Sequence, residues 1–281
     1  MKRFTLAGSQ QHNLTTQQQA VVDSNEPTVL VNAVAGSGKT ATLMHLATKY
    51  KKGIYLAFNK AIVQDVVPKL PLGWQCKTFN AFGLAITKQH YPHAKVDFNK
   101  YSKINSYSPN IPTLVSKHMS MNGNISDSSW KETCDRFKIS HRFIEEAKEA
   151  LNEGQEYTSL ISGDDMLQYP IDNGWKSEEY EIVLIDECQD LNPQQIAFLT
   201  CIPTKRIVFV GDVNQAIYGF RGSDPYAIEK IKDHYNPIEY QLTESFRCPQ
   251  EIITTVKHIV PAITSNKTGG SIETADGNRD I

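Results

Sequence analysis

An apolar run, Val29-Leu30-Val31, leads into the stretch NAVAGSGKT at 32–40 and then into a helical pattern over Thr42–Tyr50. A strand, a tight glycine turn and a helix in that order can be satisfied by few folds. The strand must lie inside a sheet, the turn must allow a backbone that only glycine adopts easily, and the helix must begin where the loop ends. The consequence is chemical as well as architectural. The backbone N–H groups of Ala35, Gly36, Ser37 and Gly38 and the helix N-terminus face a common point and suit an anion. Lys39 adds a point charge for β- and γ-phosphates, and the Thr40 hydroxyl is placed for Mg²⁺. Ala33 stands where the general pattern has its first glycine.

A second stretch, IVLIDECQD at 182–190, completes the first. Ile182–Ile185 is a short continuous apolar run, as expected of a strand buried on both faces of a parallel sheet. It ends in Asp186, a candidate Mg²⁺ ligand, and Glu187, a candidate base for the attacking water. Together the two stretches predict a chain that binds and hydrolyses a nucleoside triphosphate.

The rest of the chain is organised around these motifs. Strands are expected at Thr28–Asn32, Gly53–Phe58, Trp74–Thr78, Glu181–Asp186, Arg206–Gly211 and Pro237–Leu242. Helices are expected to begin near Lys39, Asn59 and Phe79, and to cover Pro193–Cys201, Asp224–His234 and Gln250–Ile259. Repeated strand–helix units predict an α/β fold, a doubly wound parallel sheet with ligands at the carboxyl ends of its strands. The expected division is a sheet domain in two halves, 1–91 and 181–243. A helical subdomain at 92–180 is inserted between them, and 244–281 begins a further domain. Ile144–Glu153 is the clearest amphipathic helix of the insert. Over residues 87–118, Lys88, Lys95, Lys100, Lys103 and Lys117 stand against one acid, Asp97, which reads either as a basic surface for a polyanion such as duplex DNA or as a solvated lysine-bearing face.

Composition narrows the function classes. A formal net charge of −2 and a pI near 6.5 exclude a strongly basic surface overall, though not a local groove. The five cysteines are scattered and form no CxxC pair, so reduced thiols are expected, not a zinc site or a disulfide framework. No run approaches the length of a membrane span, and Met1-Lys2-Arg3 leads into polar sequence instead of a secretion signal. A cytoplasmic protein is expected, nuclear if the source is eukaryotic.

Further stretches fall in a fixed order. Leu14–Ala20 precedes the phosphate loop with a glutamine cluster able to read a base edge. AFNK at 57–60 and TFNAFG at 78–83 set aromatic rings beside polar groups at strand ends, a mixture that can stack a base and hold its phosphate. VGDVNQ at 210–215, YGFRG at 218–222 and LTESFR at 242–247 follow.

By this ordered set of motifs the sequence resembles the UvrD/Rep-like family of superfamily 1 DNA helicases, from Leu14 to about Ile252. YLAFNKAIVQD and DDMLQYP bring it nearer to the phage-like and F-box-helicase branch. The resemblance implies a RecA-like P-loop NTPase that uses ATP and Mg²⁺ to move 3′ to 5′ on single-stranded DNA and at its junctions with duplex. By its motifs, Gln18 reads adenine, Phe246 stacks on it, and Gly36, Gly38, Lys39 and Thr40 form the phosphate loop. Asp186 and Glu187 are magnesium ligand and base, Gln215 senses the γ-phosphate, and Arg247 reaches it. Phe58, Asn59, Lys60, Thr78, Phe79, Tyr218, Phe220 and Arg221 fall on the DNA side. Several positions depart from the family: Phe220 stands for tryptophan, Asn80 for histidine, Phe246 for tyrosine and Ala41 for arginine.

The resemblance also implies a second motor domain with its own arginine finger, and too little chain follows Arg247 to hold one. A missing carboxyl-terminal half or a partner chain is therefore expected. Two rival readings remain at this point. One is a nucleotide-gated DNA-binding module without productive turnover. The other is a small-molecule phosphotransferase, which leaves Gln215 and Arg247 unexplained.

Overall fold

The computed structural model describes residues 14–104, 108–123, 126–215 and 225–269. Its strands are β1 (Thr28–Ala33), β2 (Gly53–Ala57), β3 (Gln75–Thr78), β4 (Lys95–Val96), β5 (Leu160–Ile161), β6 (Ile182–Ile185), β7 (Ile207–Gly211) and β8 (Ile238–Leu242). Six of them form one sheet in the order β3-β2-β6-β7-β1-β8, with every neighbouring pair parallel. The order follows from burial. β2, β6 and β7 are buried at every position and occupy the centre. The edge strands carry the polar residues, Gln75 and Lys77 on β3 and Glu239 and Gln241 on β8.

Helices cover both faces, and the strand alternation sorts side chains between them. On one face Tyr55, Leu184 and Val208 pack with Val21 of α1 (Thr16–Asp23), Leu43 and Leu46 of α2 (Lys39–Ala47) and Val66 of α3 (Lys60–Val66). On the other, Ile54, Ile185 and Phe209 pack with Phe82 and Ile86 of α4 (Phe79–His90). The chain is thus the mixed α/β, doubly wound parallel sheet expected of a RecA-like P-loop domain.

Between β3 and β6 the chain leaves the sheet. The helices α5 (Lys100–Ile104), α6 (Asn110–Ser120), α7 (Asp127–Phe137) and α8 (Ile144–Glu156) enclose a core of their own around Trp130, Leu114, Ile111 and Leu151. Two features here depart from the sequence reading. β4 and β5 pair as a small parallel sheet where no strand was expected. α9 (Asp165–Asn173) packs on the sheet domain's α4, with Leu167 in the sheet-side core. Gly83 permits this approach, since a Cβ there would lie 2.3 Å from the Met166 carbonyl oxygen.

The basic surface expected of the insert is largely absent because its lysines are engaged locally. Lys100 is fully buried, its ammonium donating to Asp165 Oδ2 at 2.8 Å and to the Tyr169 hydroxyl at 2.7 Å. Tyr101 and the Ser162 N–H also donate to the Asp165 carboxylate, so both charges of this buried pair are satisfied. Lys103 pairs with Asp97, Lys88 donates to the carbonyls of Pro92 and Ala94, and Lys117 lies over the Phe137 ring. Lys95 alone of the five remains a plainly exposed strand residue without such an engagement.

The last two sheet helices are α10 (Pro193–Phe198), started by the Asn192 cap, and α11 (Ala227–Tyr235). After β8 the chain folds back over the loop that follows β1. Glu244 bridges to Thr264, and Ile253 of α12 (Gln250–Val256) packs with Ile263 and Val34. Among the described residues no helix is long and apolar enough to cross a membrane, and all five cysteines are unpaired.

Candidate nucleotide and nucleic-acid site

Because all six strands are parallel, their carboxyl ends form one edge, and nearly every expected site residue that is described lies along it. The loop after β1 turns through Gly36 and Gly38, at φ of 73° and 79°, into the N-terminus of α2. These left-handed residues form the concave peptide surface that binds anions. Both are also sterically fixed. A Cβ on Gly36 would lie 2.4 Å from Arg247 Cβ, and one on Gly38 would lie 2.7 Å from Gln18 Nε2 and 3.8 Å from the Phe246 ring. The loop thus brings together Gln18 and the adjacent Phe246 and Arg247 from two distant parts of the sequence. The Phe246 N–H donates to Gly36 O at 2.9 Å, and Ser245 Oγ donates to Ala35 O at 2.8 Å.

Gln18 is buried, and both ends of its amide are in use. Nε2 donates to Ser37 O at 3.0 Å, and Oε1 accepts the Thr15 N–H as part of a capping box. In this conformation Gln18 braces the loop and presents no free edge to a base. Its neighbour Gln17 reaches the end of β8, accepting from Thr243 N–H at 2.9 Å. Phe246 is half exposed, and Thr40, the second residue of α2, is half-buried.

The acidic pair sits two strands away. Asp186 is 5 % exposed and accepts from the Tyr55 hydroxyl at 2.5 Å and from the Glu187 N–H at 3.0 Å. Burial pushes its carboxyl above the usual carboxylate range; the Tyr55 hydrogen bond opposes that shift, and the Glu187 charge adds to it. A carboxylate so placed gains most from a nearby cation. Glu187 has the left-handed φ of 52°, which turns its side chain towards the phosphate loop. Its Oε2 lies 3.7 Å from Lys39 Nζ.

From Glu187 a chain of hydrogen bonds crosses to β7. Gln189 Nε2 donates to Glu187 Oε2 at 2.9 Å, while Gln189 Oε1 accepts the Asp212 N–H at 3.0 Å. Asp212 Oδ2 in turn accepts from Gln215 Nε2 at 2.6 Å. Lys39, Glu187, Gln189, Asp212 and Gln215 therefore form one continuous polar track. Gly211 makes room for it, since a Cβ there would lie 2.5 Å from Gln189 Oε1.

Three members of this site were not singled out from the sequence. Gln189 and Asp212 lie within motifs that were, but their coupling exists only across two strands. Tyr55 had a readable signal: a phenol in the middle of a wholly buried strand needs a partner for its hydroxyl.

The other end of the edge is built differently. Asn59 and Thr78 cap α3 and α4, accepting the N–H groups of Ile62 and Ala81 at 3.0 and 3.3 Å. Phe58 is half-buried and Lys60 is exposed. Phe79 is 2 % exposed and packs in the core beneath α4, so its ring offers no stacking face, against the expectation of a DNA contact. Tyr218, Phe220 and Arg221 lie outside the described residues.

The residues fit a magnesium nucleotide. The buried Ser37 Oγ lacks a partner, and Asp186 with Thr40 supplies the hard oxygen donors Mg²⁺ takes alongside phosphates.

Comparison with known proteins agrees with this geometry. Residues 168–236 match the family described as UvrD/REP helicase N-terminal domain. The F-box DNA helicase protein 1 of Schizosaccharomyces pombe is 29% identical over 83% of this chain and 31% of its own length. The F-box DNA helicase 1 of Gallus gallus is 29% identical over 85% of this chain and 27% of its own length. The mitochondrial ATP-dependent DNA helicase HMI1 of Saccharomyces cerevisiae is 37% identical over 29% of this chain and 12% of its own length. The chain spans less than a third of the length of these relatives. Its fold, its phosphate loop with the paired acids, and these similarities together support a UvrD-like helicase domain.

Proposed function

We propose that the chain is the ATP-hydrolysing and single-stranded-DNA-binding part of a UvrD-like DNA helicase, moving 3′ to 5′ and acting at junctions with duplex. The observation that carries this reading is the track from Lys39 through Glu187, Gln189 and Asp212 to Gln215. It joins the phosphate loop to the strand end that leads into YGFRG, so a change at the γ-phosphate reaches the DNA side through bonded groups. That coupling is what a motor needs and what a simple phosphotransferase lacks.

In this reading residues 1–91 and 181–243 form the ATPase domain, 92–180 an inserted helical subdomain, and the chain from 244 the start of a second motor domain. Gln18 holds the phosphate loop and, on rearranging, the adenine; Phe246 covers the base. The N–H groups of Ala35, Gly36, Ser37 and Gly38 and the Lys39 ammonium hold the phosphates. Thr40 and Asp186 would hold Mg²⁺, which when bound neutralises charge on the β- and γ-oxygens. Glu187 orients the attacking water and takes its proton, and Arg247, packed on Gly36, stabilises charge developing at the γ-phosphate. Phe58, Asn59, Lys60 and Thr78 line the DNA side, to which the resemblance alone assigns Tyr218, Phe220 and Arg221.

ATP turnover with and without single-stranded DNA tests the proposal, with Lys39→Ala as control. Turnover stimulated by DNA and lost in the variant is expected. Turnover indifferent to DNA would sink the motor reading. Nucleotide-dependent DNA binding without turnover would replace it with a gated binding module.

A further inference from the structure

Among the described residues Phe98 is the aromatic side chain most open to solvent, at 76%. Its mount is rigid. On one side the Asp97 N–H donates to Ile161 O at 2.9 Å. On the other, the Asn99 N–H donates to Asp97 Oδ1 at 2.9 Å and the Lys100 N–H to Asp97 O at 3.1 Å. Lys103 clamps the same carboxylate, and Lys100 is anchored in the buried pair with Asp165. A large apolar ring held out into water by a fixed backbone costs hydration free energy and gains nothing within the chain.

Its surroundings indicate what it meets. The ring lies beside Gly163, where a Cβ would sit 3.5 Å from Phe98 Cδ1 and 3.9 Å from Asn80 Nδ2. Asn80 Nδ2 donates to Gly163 O at 2.7 Å, and Asn80 is two residues beyond Thr78 at the end of β3. The glycine leaves no side chain between the Phe98 ring and the Asn80 amide. The ring is therefore continuous with the carboxyl edge of the sheet, and the exposed Lys95 is three residues before it.

We infer that Phe98 is a stacking platform for a base of single-stranded DNA, carrying the strand from Thr78 past Gly163 onto the inserted helices. The inference rests on the DNA-binding reading above. The pre-formed ring suits it, since a base can stack on any aromatic face without sequence preference and a rigid mount removes the ordering cost. The Asn80 amide across Gly163, with one hydrogen beyond its bond to Gly163 O, and the Lys95 ammonium three residues before the ring supply donors for the adjoining phosphates.

The test is fluorescence anisotropy of a labelled oligothymidylate with the full chain and with F98A and F98W, repeated on an oligonucleotide carrying abasic sites. F98A should bind about tenfold more weakly, within the range for loss of one base stack. F98W should restore affinity, with its indole emission quenched on binding, and abasic sites should narrow the gap between F98A and the unsubstituted chain. Thermal unfolding of F98A should be unchanged. If the unsubstituted chain binds DNA and F98A binds equally well, the platform is wrong while the DNA edge stands. If the unsubstituted chain does not bind DNA, the DNA-side reading itself falls and this inference with it. If F98A keeps its DNA affinity but abolishes self-association in sedimentation, the ring is a contact between chains and the inference is overturned.

Discussion

The two ends of the carboxyl edge use the same residue types to opposite purposes. At the β6, β7, β1 and β8 end, carboxylates and amides bond to one another across strands around the buried Gln189 and Asp212, as in the track from Glu187 to Gln215. At the β2 and β3 end, Asn59 and Thr78 bond only to the helices they begin, and Lys60 stands in solvent. The first end is preorganised: its geometry is set before any ligand arrives, as stabilising a developing charge requires. The second is a ledge of helix starts with exposed polar groups, which suits a polyanion read by backbone and stacking alone. One sheet thus carries a site that tolerates no displacement beside one that tolerates many sequences.

The contrast predicts that substitutions at the first end act on rate and those at the second on affinity. The largest effect is expected at Glu187. Glu187→Gln should lower ATP turnover by about 10³ with nucleotide affinity retained, consistent with loss of a general base and its charge; steady-state turnover with a parallel nucleotide titration checks it. Gln189→Ala breaks the track without touching the phosphate loop. It should lower DNA-stimulated turnover by roughly 10- to 100-fold and the basal rate much less, as positioning effects do. Equal losses in both rates would mean that the track holds the base and carries no signal.

Asp190 sharpens the same contrast through pH. It is 5 % exposed with Oδ1 unpartnered, and burial pushes its carboxyl up to about 6, the Glu187 charge adding and Lys39 opposing. The unfolded chain ionises it near ~3.9. Below that value both states are protonated and no penalty exists. As pH rises to about 6, the unfolded state ionises first and stability falls. Above 6 the loss is complete. Asp190→Asn should therefore stabilise the chain by about 1–3 kcal/mol at pH 7.5 and by little at pH 4, measured by urea unfolding. The smallest effect belongs to the ledge. Lys60→Ala should weaken DNA binding a few-fold and reduce the salt slope by about one, with turnover at saturating DNA unchanged; a salt titration of DNA affinity checks it.

The sheet was legible in the sequence because its central strands are unbroken apolar runs between turn signals, and each observed strand falls within a residue or so of its expected span. The phosphate loop and the acidic pair were legible because their chemistry is local. What was hidden depends on distant pairing. Lys100 reads as one of five surface lysines because its partner Asp165 is far along the chain, and no local pattern announces a buried ammonium. Phe79 reads equally as a platform or a core residue until the packing of α4 decides. β4 and β5 are two residues each and leave no periodicity to detect. The Glu187–Gln189–Asp212 connection lies between β6 and β7, whose adjacency the sequence does not state.

The buried pair of Lys100 and Asp165 has a consequence for anyone who would cut this protein into parts. The lysine belongs to the first helix of the insert and the aspartate to a helix packed against the sheet, so their bond is a seam across the excursion. Deleting the insert from α5 through α8, Lys100 included, would strand the Asp165 carboxylate in the interior, a defect of about 3–5 kcal/mol. A minimal sheet domain engineered from this chain must therefore replace Asp165 as well as shorten the loop.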